Sequence, residues 1–169
     1  MYLGIDLGTS GVKITAIDKN GEITASSSRE YPVHYSNNGW SDQNPSDWIK
    51  GITDSMKELS EKININDIKG IGISGQMHGL VILGEDKEVL YPVILWNDQR
   101  TVEESEFLNN EIGMDKLTEY TSNISFTGFT ASKLLWIKKN EPEVFNKIRH
   151  IMLPKEYIRY IITEKIYND

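Results

Sequence analysis

The chain has 169 residues, 38% of them hydrophobic and 25% charged, with a net charge of −7 and no cysteine. That balance belongs to an ordinary folded domain able to bury a substantial core; it excludes disulfides and thiolate metal sites and argues against nucleic acid, whose binders carry basic patches. The opening MYLGIDLG lacks the basic and apolar regions of a signal peptide, and no segment approaches the roughly 20 apolar residues of a membrane span, so the expectation is a cytoplasmic protein with no membrane partner.

Residues 2–6 form a short apolar run ending in Asp6, followed by the turn-forming stretch Gly8-Thr9-Ser10-Gly11. Residues 12–18 alternate, with Val12, Ile14 and Ala16 on one side, and Asn20-Gly21 signals a tight turn into a third strand over 22–29. An antiparallel meander of three strands is predicted. Residues 32–40 read as a loop. Asn44 is placed as a helix N-cap with Pro45 at the first helical position, and Trp48, Ile52, Met56 and Leu59 mark one apolar face. Ile68, Ile71 and Ile73 announce a fourth strand that ends in the loop Ser74-Gly75-Gln76-Met77-His78-Gly79.

Residues 80–83 and 88–91 are expected to pair across 84–87, with 93–96 extending the sheet region. Asp98 can cap a helix reaching about Glu111, with Gly113 as its stop. Thr130 can cap another, carried by Leu134, Leu135 and Ile137 until Asn140-Glu141-Pro142 breaks it. Residues 148–153 are a candidate strand, and Pro154 opens a last helix through about Ile162. One α/β domain over residues 1–169 is the economical organisation.

Asp6-Leu7-Gly8-Thr9-Ser10-Gly11-Val12-Lys13 carries the most chemistry. Phosphate binding needs backbone N–H groups that oxygen can approach closely, and glycines clear the way. Thr9 and Ser10 add hydroxyl donors, Lys13 adds a positive charge, and Asp6 can hold Mg²⁺ through water. The Walker A spacing is absent. A plain hairpin turn beside a solvated aspartate would read the same from these eight residues alone. Elsewhere, His34, His78 and His150 are too scattered for a zinc pair.

The octapeptide, the strand ending in Asp18 and the Asn20-Gly21 turn resemble the first phosphate loop of the actin-like ATPase superfamily. Within it, the chain resembles the FGGY carbohydrate kinases. The segments carrying that resemblance are Gly39-Trp40-Ser41-Asp42-Gln43-Asn44-Pro45, Gly75-Gln76-Met77-His78-Gly79, Ile94-Leu95-Trp96-Asn97-Asp98-Gln99-Arg100, Gly128-Phe129-Thr130-Ala131-Ser132-Lys133-Leu134-Leu135-Trp136 and Ile151-Met152-Leu153-Pro154-Lys155-Glu156-Tyr157. They fall in family order along essentially the whole chain.

The resemblance implies a ribonuclease H-like α/β domain with a mixed sheet flanked by helices, and ATP and Mg²⁺ as cofactors. It implies Mg²⁺ at Asp6, ATP phosphates at Gly8, Thr9, Ser10 and Lys13, and a sugar at Met77 and His78. It also implies a second, ATP-binding domain that supplies the catalytic base, beyond Asp169. Glycerol kinases carry Arg-Glu where this chain has Met77-His78, and a tyrosine where it has Gly128. The wider, less charged site and the Trp96-Asn97-Asp98 segment are most like the members that act on D-xylulose. Another ketose, a polyol, gluconate, or a non-catalytic sugar-binding domain are the alternatives. Asp98 reads equally as a helix cap or a sugar ligand, two compatible roles. Trp96 and Trp136 are expected to pack, Arg100 hints at an ion pair, and a homodimer is among the partners allowed.

Overall fold

Strict alternation in residues 2–7 and 12–17 lays down the first two strands of the predicted meander. In chain order the elements of the computed structural model, which describes residues 1–167, begin with β1 (Tyr2–Leu7), β2 (Gly11–Ile17), β3 (Ile23–Glu30) and β4 (Asp42–Gln43). Helix α1 (Pro45–Ser60), β5 (Gly70–Gly75), β6 (Val81–Leu83) and β7 (Val93–Ile94) follow. The remainder is α2 (Val102–Phe107), α3 (Met114–Thr121), α4 (Thr130–Asn140), α5 (Pro142–Lys147), β8 (His150–Met152) and α6 (Pro154–Thr163). Two compact units share these elements: Met1–Val33, Asn44–Gln76 and Pro154 onward form the first, His34–Gln43 and Met77–Leu153 the second.

The first unit is built on a mixed sheet of order β3-β2-β1-β5, antiparallel except for the parallel β1–β5 pair. Leu3, Ile5 and Leu7 of β1 and Val12, Ile14 and Ala16 of β2 point into the core, as the period of two requires. Helix α1 covers β2 and β3. Its buried line runs Pro45, Trp48, Gly51, Ser55 and Leu59, whereas the predicted Ile52 and Met56 are half-buried at its edge. Small residues decide this: a side chain at Gly51 would stand 3.2 Å from a Val12 methyl, so the helix approaches the sheet over Gly51 and Ser55. Asn44 takes the N-cap position but makes no side-chain cap bond. Helix α6 packs beside β5, and its Tyr157 meets Trp48 edge-on, ring centroids 6.5 Å apart.

In the second unit β6 pairs with β8 and β7 with β4, both antiparallel. The predicted hairpin contact is narrow: a Leu83–Val89 bridge and hydrogen bonds from Gly84 N to Glu88 O and from Leu90 N to Ile82 O. Leu80, Ile82, Ile94, Trp136 and Ile137 form the core. Three predicted boundaries shift. Asp98 does not cap a helix, because α2 starts at Val102 behind Thr101. Gly113, with φ of +90°, does mark a break, yet a widened turn over Leu108–Gly113 carries the chain directly into α3. Pro142, read as a breaker, is the first residue of α5, a position where its missing N–H costs nothing. No helix among the described residues is long and apolar enough to cross a membrane.

Candidate functional site

The β1–β2 turn is pinned from several directions. Gly8 N donates to Gly11 O at 2.9 Å, closing it, and a Cβ on Gly11 would stand 2.6 Å from the Arg29 carbonyl oxygen, so only glycine fits. Tyr31, which the sequence did not single out, holds the turn at two points. Its hydroxyl donates to Gly8 O at 2.6 Å, and its amide donates to Ser10 O at 3.2 Å. Burial pushes the Tyr31 hydroxyl well above the usual tyrosine value, and the negative charge of Asp6 pushes the same way. The group therefore stays protonated, a permanent donor. Thr9 is half-buried and Ser10 exposed, which leaves the Ser10 side chain open to a ligand.

Asp6 projects from the exposed face of β1, in register with Lys13 on β2 and Ser74 on β5. The Ser74 hydroxyl donates to Asp6 Oδ1 at 2.8 Å. These three line an open groove of about 490 Å³. Gly4 and Gly72 also line it, as register partners that bring no side chains. No group of three carboxylate or histidine donors capable of caging a metal exists among the described residues. A lone exposed carboxylate suits instead a cation that keeps most of its water, which is how Mg²⁺ is usually held beside phosphates. The donor chemistry therefore fits the implied ion.

Met77, His78 and Asp98 belong to the second unit. Met77 is 65% exposed. His78 has left-handed backbone, φ of +61°, and its imidazole lies flat on Phe129, centroids 4.0 Å apart and planes 15° off parallel. Burial, and then the charge of Lys133, hold the His78 ring below the ordinary histidine value, so it is neutral near pH 7 and can accept or donate one hydrogen bond. Gly128, φ of +87°, is pressed onto the chain at Trp96: a Cβ would fall 2.1 Å from the Trp96 carbonyl oxygen. Trp136 is buried as expected, but Trp96 is half exposed and does not serve as core.

Asp98 sits differently from its expected role. Its Oδ1 accepts from Arg100 N (2.8 Å) and Nε (2.9 Å), and its Oδ2 accepts from Ser41 N (2.6 Å) and Arg100 Nη2 (2.8 Å). At 1% exposure the carboxylate has no face to offer a sugar. Arg100 also binds Asp42 through Nη2 at 2.7 Å and stands over the Trp40 ring, 4.0 Å from its centre. The hinted ion pair is real, and because α2 starts at Val102 the arginine never sits in a helix's first turn.

The chain belongs to the FGGY family of carbohydrate kinases: it matches that family's N-terminal domain over residues 1–169. The xylulose kinase of Bacillus subtilis (strain 168) is 43% identical over 169 residues, covering 99% of this chain and 34% of that protein. A solved "xyloylose kinase" from Brucella ovis superposes with a TM-score of 0.90 at 41% identity, covering 95% of this chain and 33% of the other. A solved gluconate kinase from Lactobacillus acidophilus gives 0.91 at 30%, covering 98% and 33%. The fold is thus that of sugar kinases of the actin-like ATPase type. The chain spans about a third of the length of the relatives it matches.

Proposed function

We propose that the whole protein is a cytoplasmic kinase that transfers a phosphoryl group from ATP to D-xylulose, giving D-xylulose 5-phosphate. Residues 1–169, read as one amino-terminal domain, would contribute part of each binding site. The observation that carries this reading is Asp6: an exposed carboxylate beside Lys13, one strand-end before a turn that Tyr31 and Gly11 hold rigid. Phosphoryl transfer asks the protein mainly for positioning and charge compensation. Gly8, Thr9 and Ser10 supply donors for phosphate oxygens, Lys13 a cation, and Asp6 the anchor for hydrated Mg²⁺. When bound, that ion would neutralise charge on the phosphates. The base that takes the hydroxyl proton is assigned to a segment outside these residues.

On the sugar side, His78 offers one neutral polar group and Met77 an apolar wall. Asp98 is reassigned from sugar ligand to brace, since its four donors fix residues 41 and 98–100. Similarity to a gluconate kinase supports a second substrate reading. A gluconate carboxylate would call for an exposed cation, however, whereas nearby Lys133 and Arg100 are both buried and held by protein oxygens. A homodimer would cover exposed Phe107, Ile112 and Met114.

The test grafts residues 1–169 in place of the matching third of the Bacillus subtilis relative and compares the graft with its Asp6→Ala variant. Turnover should fall at least about a hundredfold, the loss typical of a removed charge-positioning group, with the circular dichroism spectrum unchanged. Near-normal turnover would take Asp6 out of the mechanism.

A further inference from the structure

Lys133 is fully buried, at 0% exposure, on the first turns of α4. Lysines almost never occupy such positions, because an ammonium group loses its hydration there. Among the described residues its Nζ donates to one partner, the carbonyl oxygen of His78, at 2.5 Å. The Thr130 hydroxyl approaches the same oxygen at 3.4 Å. That oxygen belongs to a residue with a left-handed φ of +61°, which is strained for a residue other than glycine, so something must hold it. The same helix start supplies Phe129, on which the His78 ring lies. One face of the histidine and its carbonyl are therefore both fixed by residues 129–133.

We propose that Lys133 is a positioning residue of the sugar site: its buried ammonium clamps the His78 carbonyl and thereby sets the loop that aims the imidazole. This rests on the reading of His78 as a sugar-binding residue. The charged groups facing Lys133 are Asp98, which favours its ammonium form, and Arg100, which opposes it, both from the segment before α2; His78 faces it from the 77–79 loop. Burial dominates and brings the Lys133 amine down to about 7. In its ammonium form Lys133 also opposes protonation of His78, adding to the larger effect of burial on the imidazole. A purely structural lysine on the surface of α4 would do neither.

The test needs no substrate at first. In the chain of residues 1–169, ¹³Cε resonances of labelled lysines should show one residue, Lys133, titrating near neutrality and not with the rest near 10.5. The three histidines give three ring resonances, and Lys133→Met should move that of His78 to a higher apparent pKa while those of His34 and His150 stay put. Lys133→Arg, which keeps the charge, should leave it depressed. In the grafted kinase, Lys133→Met should raise the KM for D-xylulose roughly tenfold, the worth of one buried hydrogen bond, with the KM for ATP unchanged. Lys133 titrating with the surface lysines, or His78 unmoved in Lys133→Met, overturns the proposal, and the lysine titration stands even where that variant fails to fold. A graft inactive on every sugar but with the His78–Lys133 coupling intact would count against the kinase reading alone.

Discussion

Two buried side chains each hold a backbone carbonyl from below, Tyr31 at the β1–β2 turn and Lys133 at the histidine loop. Removing the Tyr31 hydroxyl leaves the Gly8 carbonyl without that partner, so Tyr31→Phe should cost about 1–3 kcal/mol in urea unfolding, a loss that Tyr35→Phe, at an exposed residue, should not show. Lys133 makes a prediction of opposite character. Its folded value, about 7, lies below the ordinary 10.5, so the folded state binds fewer protons than the unfolded state between those limits. Stability should therefore carry the full burial penalty below pH 7 and rise as the pH climbs toward 10.5. Lys133→Met should flatten that rise in chemical denaturation measured across this range; an unchanged slope would mean that the amine keeps its charge when buried.

At the scale of elements, the sequence was most legible where one period ruled. The alternation of β1 and β2 and the Asn20-Gly21 turn led directly to the meander, and Pro45 placed the start of α1 correctly. Legibility failed where a partner distant in sequence set the outcome. Nothing in the order of residues shows that Asp98 spends both oxygens on Arg100 and Ser41, that Tyr31 reaches Gly8, or that Lys133 points inward. For the candidate site residues Asp6, Gly8, Lys13 and His78, the sequence shows the residue types and their order but not which of their atoms remain free.

Two further tests belong at this scale. Glu58 of α1 is held down to about 2 by Lys62 first, then by Ser27 and Arg29 of β3. Because the folded value lies below the unfolded one, its contribution is complete above about pH 4.5 and is lost as the pH falls through about 2. Acid titration of stability should be shallower in Glu58→Gln. Gly128→Ala should be far worse than Gly21→Ala, although both glycines have φ of +87°. Gly21 faces open space and should lose only the roughly 1–2 kcal/mol of left-handed backbone. Gly128 adds a collision with the Trp96 carbonyl, and equal thermal shifts for the two variants would contradict that packing.

For the whole molecule, the proposed reading gives residues 1–169 part of each binding site and no base, so these residues alone should release no ADP above background with D-xylulose. The most direct test of the central claim is the specificity of the grafted kinase, because the proposed choice of D-xylulose over glycerol rests on Met77-His78. Its kcat/KM should be measured for D-xylulose, glycerol and gluconate by coupled ADP release. D-xylulose should be preferred by at least tenfold, the equivalent of about 1.4 kcal/mol of transition-state binding; a higher value for glycerol or gluconate would contradict the assignment.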